Sequence, residues 1–93
     1  MPNPVEIEFI LPQGRAPEYS GFAILGHTER AQQNVQVYYE MPMLGVMSAN
    51  LTTVSDGEGK WRVSFPGDFT AGVEITAYAR SDRAALARLT KVL

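Results

Sequence analysis

The sequence predicts an all-β domain, a seven-stranded antiparallel β-sandwich, from two runs of alternating side chains and the turn residues beside them. In residues 61–65, large apolar side chains alternate with Arg62 and Ser64, and residues 56–59 before them have the composition of a tight turn. A second alternating run, residues 73–80, follows a Pro-Gly step that we expect to break the chain. Strands with one apolar and one polar face bury the apolar face between two layers, which indicates a sandwich.

Residues 5–11 form the first predicted strand, in which Glu6 and Glu8 face solvent. The side chains that we expect to face the core are Val5, Ile7, Phe9 and Leu11. Residues 12–18 contain two prolines and one glycine and are predicted to form a loop. Residues 21–25 are apolar on both faces, which predicts a short central strand.

Three segments follow in the middle of the chain. Residues 35–40 place Val35, Val37 and Tyr39 at alternate positions, which predicts a strand with one buried face. Residues 41–47 are predicted to form a loop, because a proline and a glycine interrupt them. Residues 50–54 are rich in threonine and predict a weaker strand.

The final segment, residues 84–93, fits both a helix and a strand. Leu86, Leu89 and Leu93 have helical spacing, and alanine and leucine favour a helix. We prefer a strand, because residues 73–80 need an antiparallel neighbour and residues 81–83 are short enough for a hairpin turn.

Composition indicates one domain and argues against two classes of partner. We expect residues 1–93 to form a single domain, with residues 1–4 as an extended N-terminal arm. A net charge of −2 gives no general attraction to nucleic acid or to anionic membranes, so neither is an expected partner. The sequence shows no secretory signal or membrane-spanning segment. Without cysteine, disulfides and cysteine-based metal sites are excluded.

No arrangement of residues predicts catalysis, so we expect a protein that is not an enzyme and has no cofactor or metal ligand. His27 is the only histidine, and no suitably spaced partner accompanies it, so we expect it in a surface turn. Asp56, Glu58 and Asp68 have the oxygen donors that calcium prefers, but residues 56–59 also suit a hairpin turn without an ion. Calcium binding stays open at this point.

The segment 41–47 is the strongest candidate for partner binding, since it has no charge and contains three methionines. Adaptable apolar side chains at a surface mark contact sites, whereas the alternative is that the segment folds over the core and caps it. Two tyrosines expected to face outward from their strands would extend the contact area. The predicted partner-binding residues are Met41, Met43, Leu44, Val46, Met47, Tyr38 and Tyr78.

Several segments together resemble bacterial immunoglobulin-like (Ig-like) domains over about two thirds of the chain. Gly26 ends a strand before a polar turn and residues 34–37, the turn 56–59 leads into Trp61, and an Ala-Gly step precedes residues 73–82. The resemblance implies that the glycine before the tryptophan makes a tight turn. It also implies that the tryptophan fills the core between two sheets, in a seven-stranded Ig-like β-sandwich with adhesive or structural roles.

An Ig-like domain with its own start methionine and no export signal resembles small accessory proteins of tailed-phage particles, such as capsid decoration or tail proteins. We therefore expect a structural or docking module, made in the host cytoplasm and located in the virion, that binds a larger protein assembly. The alternative is a carbohydrate-binding or adhesin module excised from a larger protein of the bacterial surface. Self-association into a homo-oligomer also stays open.

Overall fold

A computed structural model describes residues 5–81 and 86–93, in which eight β-strands form two antiparallel sheets. The strands are β1 (Val5–Arg15), β2 (Glu18–Thr28), β3 (Asn34–Met41), β4 (Val46–Met47), β5 (Leu51–Val54), β6 (Lys60–Thr70), β7 (Glu74–Ser81) and β8 (Ala87–Val92). The three-stranded sheet has the order β1-β2-β6. The five-stranded sheet has the order β4-β3-β7-β8, with β5 also paired to β3.

The core lies between the two sheets and draws on alternate positions of both. The prediction for residues 61–65 is confirmed, because Trp61, Val63 and Phe65 are buried while Arg62 and Ser64 are exposed. The fully buried larger side chains from the other strands are Ile10, Ile24, Val35, Val37 and Ile75. An all-β fold with antiparallel sheets is therefore as the sequence predicted.

The expected number of seven strands is wrong, since the described residues contain eight. The additional strand is β4, a two-residue strand that forms inside the predicted loop 41–47 by pairing with the end of β3. The final segment is a strand, as preferred, with β8 antiparallel to β7. The predicted hairpin turn includes residues 82–83, and these, like the N-terminal arm 1–4 and residues 84–85, lie outside the described part of the chain.

The predicted core positions Phe9 and Leu11 are wrong, because these side chains are 51% and 43% exposed. The register between β1 and β2 shifts between Ile7 and Phe9. Such a bulge adds one residue to the strand and reverses which side chains face inward. Ile10 consequently occupies the core with no measurable exposure.

Two predicted breaks differ in the structure. Of the predicted loop 12–18 only residues 16–17 form a turn, because β1 extends to Arg15 and β2 begins at Glu18. The Pro66-Gly67 step lies inside β6, whose far end pairs with the start of β2. The two prolines that lie within strands, Pro12 and Pro66, are on the outer strands of the three-stranded sheet, where a missing backbone donor is tolerated.

Trp61 lies across Gly26, its direct partner in the pairing of β2 with β6. A Cβ atom at Gly26 would overlap the indole ring of Trp61 and the carbonyl oxygen of Glu6. Gly26 has no unusual φ angle, so here glycine provides space and not backbone freedom. The absence of a side chain at residue 26 therefore lets the largest core residue pack flat against β2.

A buried group of polar side chains closes the end of the domain where β2 stops. Thr28 and Ser55 are 3% and 2% exposed, and their hydroxyl oxygens are 2.9 Å apart. The Thr28 hydroxyl donates to the carbonyl of Arg30 at 2.6 Å, and the Ser55 hydroxyl accepts the backbone N–H of Gln33 at 2.9 Å. These hydrogen bonds join the segment between β2 and β3 to the segment between β5 and β6.

Asp56 organises the turn before β6, as the sequence predicted. Its Oδ1 accepts the backbone N–H of Glu58 at 2.8 Å and of Lys60 at 2.9 Å. The hydrogen bond from Lys60 and then the one from Glu58 lower the pKa of Asp56, because both stabilise the ionised carboxylate. The negative charge of the Asp56 side chain therefore stabilises the turn.

Replacing Gly26 with alanine should lower the free energy of unfolding by about 3 kcal/mol, because the added methyl overpacks the Trp61 contact. Gly57→Ala is the matched control, since a Cβ there meets nothing within 4 Å and its φ is ordinary, and it should change stability by less than about 1 kcal/mol. Urea denaturation of both variants measures the difference. Equal stability of the two variants would show that Gly26 does not make room for the indole.

Asp56→Asn should be less stable than the unchanged protein at neutral pH and equally stable in acid. The folded-state pKa of Asp56 is lowered, so its contribution is fully present above the ordinary aspartate pKa of about 3.9 and is lost as pH falls through the lower folded value. Asparagine keeps an oxygen acceptor but has no carboxyl group that can ionise. Urea midpoints at pH 7 and pH 2.5 measure this, and a constant difference between the two proteins would contradict it.

Candidate functional site

The segment 41–47 reverses the chain at the end of β3 and returns along its edge. A 3-10 helix, Pro42–Leu44, follows β3, and Gly45 has a left-handed backbone with φ 66°. The Gly45 N–H donates to the carbonyl of Pro42 at 3.2 Å. Ser48 then fixes the returning chain, because its hydroxyl accepts the N–H of Tyr39 at 2.8 Å and its N–H donates to the Tyr39 carbonyl at 2.9 Å.

Four apolar side chains of this reversal are exposed, and we call them the apolar tip. They are Met43 (71% exposed), Leu44 (56%), Val46 (41%) and Met47 (62%). The hydrogen bonds of Gly45 and Ser48 and the pairing of β4 hold the backbone beneath them. The tip is thus an ordered apolar surface at one end of the five-stranded sheet.

Met41, which we predicted to bind a partner with the rest of the segment, is buried instead at 6% exposure. It is the last residue of β3 and continues the inward positions of Val35, Val37 and Tyr39. Its side chain belongs to the hydrophobic core. The capping role that was the alternative for the whole segment therefore applies to Met41, whereas the four tip residues remain exposed.

Tyr38 and Tyr78 lie opposite each other on β3 and β7 and are both half-buried. They occupy the outward face of the five-stranded sheet, because their neighbours Val37 and Ala79 face the core. Their rings are stacked, with centroids 4.7 Å apart and planes 13° from parallel. Each ring therefore covers one face of the other.

A shallow depression connects the apolar tip to the tyrosine pair. Its volume is about 380 Å³, and its lining residues are Gln36, Tyr38, Met47, Ser48, Asn50, Arg80 and Leu86. A second depression of about 320 Å³ has Met47 in its lining together with Val46, Pro42, Gly45 and Glu40. Met47 contributes to both, so the tip and the outward face of the sheet form one continuous surface.

The structure brings six of the seven predicted partner-binding residues to this surface and adds Gln36, Asn50, Arg80 and Leu86, which were not in that set. Arg80 and Gln36 are opposite partners in the β3–β7 register, and Arg80 Nη2 donates to Gln36 Oε1 at 3.4 Å. A usable signal was present, because residues 36 and 80 each lie two positions from a predicted tyrosine and so share its face. Leu86 and Asn50 lie beyond the strand ends, where alternation gives no signal.

His27 is in β2 and not in a turn, so that prediction is wrong. β2 is longer than the predicted strand 21–25, because it continues to Thr28 alongside both β1 and β6. His27 Nδ1 lies 2.8 Å from Glu8 Oε1, and its Nε2 lies 3.4 Å from Glu6 Oε2. The two carboxylates thus contact opposite nitrogens of the ring and do not converge on one point.

The described residues give no sign of a metal centre or of a membrane-crossing helix. Residues 5–81 and 86–93 contain no group of three His, Cys, Asp or Glu side chains that could hold a metal ion. Asp56 and Glu58 belong to the turn before β6, whereas Asp68 lies near the far end of that strand. Among the same residues, no helix has the length and apolar character needed to cross a membrane.

Comparisons with protein-family models, with curated protein sequences and with solved structures find no match to this chain. The surface formed by the apolar tip, the tyrosine pair and the depression between them is therefore interpreted from its own geometry.

Proposed function

We propose that this chain is a non-catalytic docking module with an Ig-like β-sandwich fold. The strand order supports the fold: β1-β2-β6 corresponds to strands A, B and E of an Ig domain, and β3-β7-β8 to strands C, F and G. In constant-type Ig domains the strand between C and E pairs with E, whereas β5 pairs with β3. In this respect β5 is similar to the C′ strand of variable-type domains.

The observation that carries the docking role is the exposure of four neighbouring apolar side chains on an ordered chain reversal. Burying such side chains fully is worth about 1.5–3 kcal/mol each, so covering the tip would stabilise a complex by several kcal/mol. Because β4 and Ser48 already hold the backbone, binding would cost little ordering of the chain. A preformed apolar surface of this kind suits contact with another protein.

The assembly that we propose as partner is a tailed-phage particle, on which the chain would act as a capsid decoration or tail accessory protein in the virion. This part of the proposal rests on the resemblance of the sequence to Ig-like accessory proteins. The carbohydrate-binding alternative has less support, because sugars stack on free aromatic faces and one face of each of Tyr38 and Tyr78 is covered by the other ring. The tip offers apolar area and few polar groups, which favours a protein partner.

The triple variant Met43→Ser, Leu44→Ser, Met47→Ser should reduce co-sedimentation with purified particles of the encoding phage by about 100-fold in affinity. The loss corresponds to roughly 1 kcal/mol for each truncated contact residue. Val54→Ser is the matched control: Val54 is 55% exposed but pairs with Asn34 at the opposite end of β3. Unchanged binding of the triple variant, or an equal loss in the control, would contradict docking through the tip.

Stability measurements separate docking from capping. Met41→Ala should lower the free energy of unfolding by about 2–3 kcal/mol, because it removes a buried side chain. The triple serine variant should stay within roughly 1 kcal/mol of the unchanged protein, because its three sites are 56–71% exposed. Urea denaturation measures both. A large loss of stability in the triple variant would mean that the tip caps the core, and the docking proposal would fail.

A further inference from the structure

Two arginines lie on the same outward face as the tyrosine pair. Arg80 is two residues from Tyr78 along β7, and Arg88 on β8 is the direct partner of Tyr78. Residues that lie opposite each other in antiparallel strands, or two apart in one strand, point to the same face. Tyr78 therefore has two arginine residues as neighbours on this face, and both are exposed.

These two arginines have no carboxylate partner among the described residues. The close contacts between basic side chains and carboxylates there are those of His27 with Glu6 and Glu8 and that of Lys60 with Glu58. The hydrogen bond that Arg80 makes goes to the neutral amide of Gln36. Glu40, which pairs with Thr76, and Glu74 on β7 are acidic residues of this face, but both lie on the far side of Tyr38 and Tyr78 from Arg80. Among the described residues, the positive charge of the face is therefore concentrated at the end that holds Arg80 and Arg88, although the whole chain has a net charge of −2.

The depression next to these arginines combines charge with apolar walls. Arg80 lines it together with the apolar side chains of Met47 and Leu86 and the polar side chains of Ser48 and Asn50. A carboxylate can accept two parallel N–H bonds from one guanidinium, and hydroxyl or amide donors can bind its remaining lone pairs. The methionine and leucine would contact an apolar neighbour of that carboxylate.

We propose that the outward face of the five-stranded sheet binds an acidic segment of a partner protein, with a Glu or Asp carboxylate on Arg80 and an adjacent apolar side chain against Met47 and Leu86. This inference rests on the proposed docking function and adds the chemistry of the partner surface. Arg88 extends the positive potential and speeds encounter with an acidic surface. Composition favours a protein over a nucleic acid as the acidic ligand, because two arginines on a chain of negative net charge are few for a polyanion.

The test is an NMR titration of the ¹⁵N-labelled protein with three probes. The first is a capped twelve-residue peptide of repeated Gly-Ser-Glu-Leu, the second replaces every Glu with Gln, and the third is a twelve-nucleotide oligothymidylate. We expect the Glu peptide to shift the amide signals of Gln36, Tyr78 and Arg80 with a Kd on the order of 1 mM, and the Gln peptide to bind at least about fivefold more weakly. Raising NaCl from 0.05 to 0.5 M should weaken Glu peptide binding further.

Two arginine variants test which arginine binds the carboxylate of the peptide. Arg80→Gln should weaken binding of the Glu peptide about tenfold, because it removes a charge-assisted bidentate contact. Arg62→Gln is the matched control, since Arg62 is an exposed arginine on the outward face of the other sheet, and it should bind as the unchanged protein does. The proposal is overturned if the Glu and Gln peptides bind equally, if both arginine variants lose binding alike, or if the oligothymidylate binds this face more tightly than the Glu peptide.

The outcome of the peptide titration can be distinguished from the outcome of the docking test. Met43→Ser combined with Leu44→Ser leaves the lining of the depression unchanged and should keep the preference for the Glu peptide. If the particles bind through the tip but Arg80→Gln changes neither particle binding nor peptide binding, the acidic-partner inference is overturned and the docking proposal still holds. Loss of the Glu preference in the double serine variant would overturn the assignment of the carboxylate site to Arg80.

Discussion

The contact between Trp61 and Gly26 is the constraint on which the architecture depends. It fixes which residue of β6 lies opposite which residue of β2, and the side-chain period of two then assigns every neighbour on these strands to a face. A slip of one residue would place the indole against a side chain and expose Val63 and Phe65. The three-stranded sheet therefore has one register in which its inner face is apolar, and the five-stranded sheet packs on that face.

A single alternation along β3 builds both the core and the candidate docking surface. The odd-numbered residues from Val35 to Met41 face inward, and Gln36, Tyr38 and Glu40 face outward. Met41 and Met43 differ in role for this reason, since one is the last residue of the strand and the other lies in the 3-10 helix that follows. The core and the candidate docking surface are thus coupled through one strand, and a shift of β3 would disturb both.

Much of this could be predicted from the sequence, and the failures have identifiable physical causes. The inward residues of β3, of β7 and of residues 60–65 in β6 lie at alternate positions, so they were predictable. β1 was not, because the bulge after Ile7 reverses the pattern without leaving a mark in composition. For the uncharged segment 41–47 the sequence left exposure and capping of the core both open, and the structure separates buried Met41 from exposed Met43 and Met47. The placement of Arg80 opposite Gln36 did not follow from the sequence, because it depends on the β3–β7 register, which joins residues 44 positions apart.

The division of one sheet edge into β4 and β5 affects how the protein can associate. These strands have two and four residues and are separated by residues 48–50, so the outer side of β3 presents no long row of unpaired backbone donors and acceptors. Long, flat edges of that kind are the templates on which chains add to one another as fibrils. Strands as short as β4 and β5 offer another copy of the chain few backbone groups for strand addition along the edge beside the apolar tip.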